Sequence, residues 1–223
     1  LSAANCDDPN VRASAVAALA SFNDPKARDG IIAALRDSVV AVRLAALKTC
    51  GKNRIEQSIS AVLYRAKNDP DKTVKSEAFK TLAQIGSDEA FSFLKQFYDE
   101  GKNDTTLRSL AYGLILRSDP NSLSWLLDRF SMAQKDKDRN FFTGLVRELS
   151  GSSEATSAAP IARQLMTDSD YLLRLGAIEW AQKTKAPDFK PDLIKASTDD
   201  PSDYVRRRAT EVLALYPSNG ATP

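Results

Sequence analysis

The side chains of this chain that could do chemistry are carboxylates and guanidinium groups held in a fixed relation, with no imidazole among them. Asp8 and Arg12 stand four residues apart in "DPNVRASAVAAL", as do Asp104 and Arg108, and Asp170 and Arg174, while Lys75 takes the same place behind Asp71. Four residues make about one helical turn, so acid and base share a face. Arg12 nevertheless falls inside the apolar stripe of Val11, Ala15, Val16 and Leu19. A guanidinium withdrawn from water is costly unless paired, so the expected chemistry is an ion pair, with Asp8 as the partner of Arg12. Catalysis is poorly supplied. Without histidine the commonest general base and the commonest zinc ligand are both missing. Cys6 and Cys50 belong to no CxxC, and no phosphate-binding glycine loop, HExxH or nucleophile motif occurs. No catalytic residue, metal ligand or cofactor is therefore expected. The acid pairs Asp7-Asp8 and Asp199-Asp200 read as caps and turns. Asn103-Asp104-Thr105 is formally a glycosylation sequon, but Asp104 already reads as a cap and ion-pair acid.

The elements that must position these groups repeat. The pattern around Arg12 returns at Arg43, Lys75, Arg108, Phe142, Arg174 and Arg206, at spacings of 31 to 34 residues. A period in that range marks a stacked array, in which each unit buries its apolar face only against its neighbours. Every copy has an upstream segment with helical apolar spacing, such as Ile31, Ile32 and Leu35, then a break rich in Asp, Asn, Pro and Ser. An anchor helix follows, opening behind an N-capping residue such as Asp104 or Asp170, and Gly51 and Gly86 read as its C-terminal stops. Asp24-Pro25 and Asp119-Pro120 read as cap and first position of upstream helices. The unit is a helical hairpin, and nothing in the chain argues for strands. Phe142 removes the base from its copy, so a hinge or a local change in the superhelix is expected there.

This D-x-x-V-R-x-x-A hairpin resembles the short HEAT-like repeats of the phycobilisome-lyase type over nearly the whole chain. The resemblance implies an all-α, right-handed α-α superhelix of about seven hairpins. It also implies an Asp–Arg ladder between successive repeats, with rungs Asp8/Arg12, Asp71/Lys75, Asp104/Arg108 and Asp170/Arg174. Arg43 and Arg206 keep the base with a shifted acid. The expected array covers residues 1–216. Its first repeat is expected to be cut short, because "LSAANCDDP" aligns with "LIKASTDDP", so that the natural protein continues N-terminally. Residues 217–223 read as a flexible tail. Cys6 and Cys50 fall at opposite edges of the layer, so no disulfide is expected.

In such stacks the anchor helices line the concave surface, and members of the family are mostly scaffolds and adaptors. Residues two and five positions after each anchor face away from the packed stripe. That row contains Lys48, Lys80, Leu110, Arg147, Glu179, Arg208 and Glu211, with Arg207 beside it, and is the expected contact surface for a protein or peptide partner. Trp125 and Trp180 read as packing residues. Formal charge is only +2, which argues against nucleic acid as the partner. No run reaches membrane-spanning length, and no segment reads as a targeting signal. Scaffolding is the leading expectation; a bilin lyase or chaperone subunit, by resemblance, and a nucleic-acid-binding array are the alternatives.

Overall fold

A computed structural model describes residues 6–22, 24–100, 104–136, 138–150 and 158–217, with backbone alone at 139, 140, 143, 147, 148 and 150. The described residues form thirteen α-helices and three single 3-10 turns, without a strand. The chain divides into two compact units, 1–102 and 103–223. The first runs α1 (Pro9–Leu19), α2 (Pro25–Ala34), α3 (Val40–Lys52), α4 (Ile59–Asn68), α5 (Lys72–Ile85) and α6 (Asp88–Glu100). The second runs α7 (Thr105–Ser118), α8 (Leu123–Asp136), α9 (Arg139–Ser150), α10 (Ala159–Met166), α11 (Tyr171–Thr184), α12 (Lys190–Asp199) and α13 (Asp203–Leu213).

The helices begin where capping chemistry dictates. Asp8, Asp24, Asp71 and Asp170 each accept a hydrogen bond from the backbone N–H two residues on, and Asp104 accepts from the Leu107 N–H. Pro9 and Pro25 occupy first helical positions, where a missing N–H costs nothing. Asp119 caps the 3-10 turn Pro120–Ser122 that leads into α8. The helix ends differ from expectation at one place. Gly51 lies within α3, and the left-handed residue beyond that helix is Arg54, at φ 47°. Gly86, at φ 76°, does terminate α5.

Within unit one the anchor helices lie side by side, α3 packing against both α1 and α5, with α2 and α4 behind them. Val42, Ala46, Leu47 and Cys50 of α3 are buried, as are Ile31 and Leu35 below and Val74, Ala78 and Leu82 on α5. Phe79 is fully buried and meets Phe93 and Phe97 of α6 edge-on, at 5.6 and 4.7 Å. Unit two repeats the plan: α9 packs on α7, α11 on α9 and α13 on α11, with α10 and α12 behind. Its core is more aromatic. Tyr112 meets Phe141 at 5.0 Å and donates its hydroxyl to the Leu126 carbonyl at 2.8 Å. Phe130 meets Phe142 at 5.3 Å, and Trp180 meets Phe189 at 5.1 Å. Trp180 is thus core, while Trp125 is half-buried against Tyr112 and Arg129. Phe142, which replaces a basic anchor, is buried among rings. Cys6 is exposed and Cys50 buried, and both are free thiols. The cut-short first repeat expected at residues 1–5 and all of the tail beyond Pro217 lie outside the described residues.

Candidate partner-binding surface and the ladder beneath it

The anchor arginines are buried or half-buried, and the structure gives them partners other than the acids one turn earlier. Arg12 Nε and Nη2 pair with both carboxylate oxygens of Asp37, at 2.8 and 3.0 Å. Arg43 grips Asp69 in the same two-pronged way at 2.9 Å, and Arg174 grips Asp200 at 2.8 and 2.9 Å. Nη1 of each arginine turns back onto two carbonyls of its own preceding turn: Cys6 and Asp7 for Arg12, Asp37 and Ser38 for Arg43, Asp168 and Ser169 for Arg174. One planar guanidinium therefore ties the turn before its own helix to the turn before the next anchor helix, using its rigid fork of donors. Asp37 shows the continuity. Its carboxylate holds Arg12 while its carbonyl holds Arg43.

The acids expected as rungs have a different task. Asp8, Asp71, Asp104 and Asp170 spend their carboxylates on capping N–H groups of their own helices. The physical reason is reach. An acid at the N-cap sits over orphan backbone donors, whereas the arginine extends towards the neighbouring hairpin. The sequence did carry the signal: Asp37, Asp69, Asp136, Asp168 and Asp200 recur six positions before their own anchors, a column hidden by the four-residue spacing. Two rungs depart from the pattern. Arg108 approaches Asp138 at 3.7 Å, and the Lys75 side chain makes no hydrogen bond or ion pair among the described residues. Arg206, on the last anchor, reaches the Asp200 carbonyl and the Asp203 carboxylate.

Burial sets the electrostatics of the rungs. Asp69 is fully buried at its side chain, and that burial pushes its carboxyl up; Arg43, the Asp71 N–H and Arg65 outweigh the push and hold it below the usual carboxylate value. Asp200 follows the same balance, its burial outweighed by Arg174 and the Ser202 N–H. Asp37 is lowered chiefly by its hydrogen bonds from Arg12.

The family model for HEAT repeats matches residues 1–78 and 126–214. The chain is a HEAT-repeat protein. No curated protein matches it. Proteins built from HEAT repeats generally serve as scaffolds for protein–protein interaction.

On this HEAT-repeat framework the expected contact residues whose side chains are described divide into three groups. Lys48, Lys80 and Arg207 are exposed, Lys80 standing 3.8 Å from Glu77, while Lys48 and Arg207 make no ion pair among the described residues. Glu179, Arg208 and Glu211 are engaged with one another: Arg208 pairs with Glu179 at 2.7 Å, with Glu211 at 2.9 Å, and with the Gln182 carboxamide. Leu110 is buried rather than a surface residue, as is Gly113. The reason is that α7 carries apolar or small residues almost all the way round, and a helix of that kind is covered on every side. The side chain of Arg147 lies outside the described residues. Gly144 and Gly176 are also covered. A β-carbon at Gly144 would stand 2.3 Å from the Ser109 side chain, and one at Gly176 would stand 2.5 Å from Val146. At these points α9 packs directly on α7 and on α11, with no room for a further carbon.

One part of the same face lies outside the rows two and five positions after the anchors. Leu172 and Tyr204 each stand two positions before an anchor, on the neighbouring helices α11 and α13, and are 55% and 58% exposed. Seven residues make nearly two turns, so this row continues the one five positions after the anchor. Tyr171, also exposed, adjoins Leu172, and Arg207 lies one turn from Tyr204. Large exposed apolar residues in register on adjacent helices were the available signal.

Proposed function

We propose that this HEAT-repeat chain is a non-enzymatic scaffold whose anchor helices hold a protein or peptide segment on the face that such stacks turn inward. The carrying observation is the patch of unit two where Leu172 and Tyr204 lie exposed in equivalent register beside Arg207, which makes no ion pair among the described residues. Apolar and aromatic anchors flanked by a free guanidinium suit a segment bearing apolar side chains and carboxylates. A phosphate backbone would instead call for a basic stripe, and the neighbouring Arg208 is already neutralised by Glu179 and Glu211.

The test is selection of binding peptides from a random displayed library on the immobilised chain, followed by titration against variants. Leu172→Ala, Tyr204→Ala and Arg207→Glu are expected to weaken the selected peptide roughly tenfold or more, each with an unchanged melting temperature. Binding indifferent to all three would defeat the reading. So would preferential binding of an oligonucleotide whose affinity falls steeply with salt, the mark of phosphate contacts.

A further inference from the structure

Unit one contains a cleft of about 380 Å³, open to solvent. It is walled by Ala20, Ser21 and Phe22 beyond α1, by Arg28 and Ile31 of α2, and by Asn53, Arg54, Ile55 and Gln57 beyond α3. The Asn53 carboxamide donates to the Ala20 carbonyl at 2.9 Å and so ties the two loops together. The lining holds two arginines and no carboxylate. That imbalance is local. Of the six arginines of unit one, Arg12, Arg43 and Arg65 each hold an aspartate. Two of the other three, Arg28 and Arg54, line this cleft, and their side chains make no hydrogen bond or ion pair among the described residues. Phe22, at the same opening, is 61% exposed.

The backbone supplies a separate observation. Arg54 has a left-handed φ of 47°, where a β-carbon is disfavoured, and the corresponding position after α5 is Gly86. Glycine would suit the fold at position 54, yet the chain carries there a side chain that lines a cleft. Lys185 takes the same φ of 47° at the equivalent place after α11, so the fold accepts a long basic side chain there, and at Arg54 that side chain lines the cleft.

We propose that this cleft binds an oxyanion, a carboxylate or phosphate, carried beside an apolar group that covers Phe22. The guanidinium groups of Arg28 and Arg54 pair with the oxyanion, since their planar donors match its geometry and no acid among the described residues is paired with them. The carboxamides of Asn53 and Gln57 hydrogen-bond the polar atoms next to it. This site stands apart from the anchor-helix face and does not depend on it.

The experiment is an amide chemical-shift titration of the full chain with three probes: inorganic phosphate, acetyl-Phe-Glu-amide and acetyl-Phe-Gln-amide. A saturable response at Ser21, Phe22, Asn53, Arg54 and Gln57 is expected with phosphate, with the glutamyl peptide, or with both, and not with the glutaminyl peptide. The tighter of the first two identifies a free anion or a peptide carboxylate as the source. Arg28→Ala and Arg54→Gly are each expected to weaken binding roughly tenfold. Arg54→Gly should do so with a melting temperature equal to or above that of the parent, because glycine favours positive φ. No saturable response to either anion overturns the proposal. Shifts spread equally to Lys48 and Lys80, a response to the glutaminyl peptide of equal strength, or affinity unchanged in both variants does the same.

Discussion

Asp170 and Asp200 are both aspartates within hydrogen-bonding reach of a backbone N–H, yet removing them should cost very different amounts. Asp170 caps α11 through the Leu172 N–H, and a lost cap is worth about 1 kcal/mol. Asp200 holds Arg174 with two short bonds, and both side chains are nearly inaccessible, at 5% and 8%. Truncating Asp200 leaves a guanidinium uncompensated in a poorly hydrated place, at about 3–5 kcal/mol. Urea unfolding of Asp170→Ala and Asp200→Ala should therefore give clearly separated midpoints, Asp200→Ala being much the lower. The double variant Arg174→Met with Asp200→Leu should recover part of the loss, because an apolar pair of similar bulk removes the orphaned charge, while the Ser202 N–H and the Asp168 and Ser169 carbonyls still lose their partners. Equal midpoints for the two single variants would return the rung to Asp170. The spacing read from sequence could not make this distinction, since a helical turn fixes which residues share a face and says nothing of a partner 26 positions away.

Between neighbouring helices, the sign of a glycine substitution reports how tightly the anchors are packed. Within a helix, alanine for glycine gains roughly 0.5–1 kcal/mol from backbone entropy alone. At Gly51 an added methyl meets the tip of Gln84, a flexible side chain that can swing aside, so Gly51→Ala should raise the melting temperature. At Gly176 the methyl meets branched Val146 at 2.5 Å across the α9–α11 contact. Overpacking of that kind costs about 1–3 kcal/mol and reverses the sign. Gly176→Ala should lower the melting temperature, and adding Val146→Ala should restore part of it, a coupling that a double-mutant cycle measures. These positions also mark how far the elements were legible. Helix starts were readable because Asp and Pro act on their own backbone, at Asp8-Pro9, Asp24-Pro25 and Asp71. The period was readable because stacking imposes the same needs on every copy. The burial of Leu110, Gly144 and Gly176 was not, because rotation about one helix axis cannot say how closely the next helix approaches. The exposed patch at Leu172 and Tyr204 was passed over for a related reason: apolar residues beside an apolar stripe read as core until the neighbouring helix is seen to leave them bare.

For the molecule as a whole, the titrating groups predict a flat stability plateau with two defined shoulders. No histidine is present, so no side chain with an ordinary pKa titrates between about pH 5 and 8. On the acid side, Asp37, Asp69 and Asp200 are held below the ordinary 3.8, so the unfolded chain takes up their protons first. Their contribution is complete above that value and is lost as pH falls through it towards the depressed folded values. On the alkaline side the direction reverses. Burial pushes the Cys50 thiol from 9.0 up to about 11 and the Tyr216 hydroxyl from 10.0 up to about 12. Above pH 9 the unfolded chain ionises first, and stability falls as pH rises towards these folded values. Unfolding free energy measured from pH 2 to 11 should thus be level through neutrality and decline at both ends. Arg174→Met with Asp200→Leu should make the acid decline shallower, with Asp37 and Asp69 still contributing, while leaving the alkaline one. Cys50→Ala should lower the whole curve through its lost packing, yet reduce the slope between pH 9 and 11. A decline centred near pH 6.5 would mean that the rungs are not what acid removes, because nothing in their chemistry titrates there.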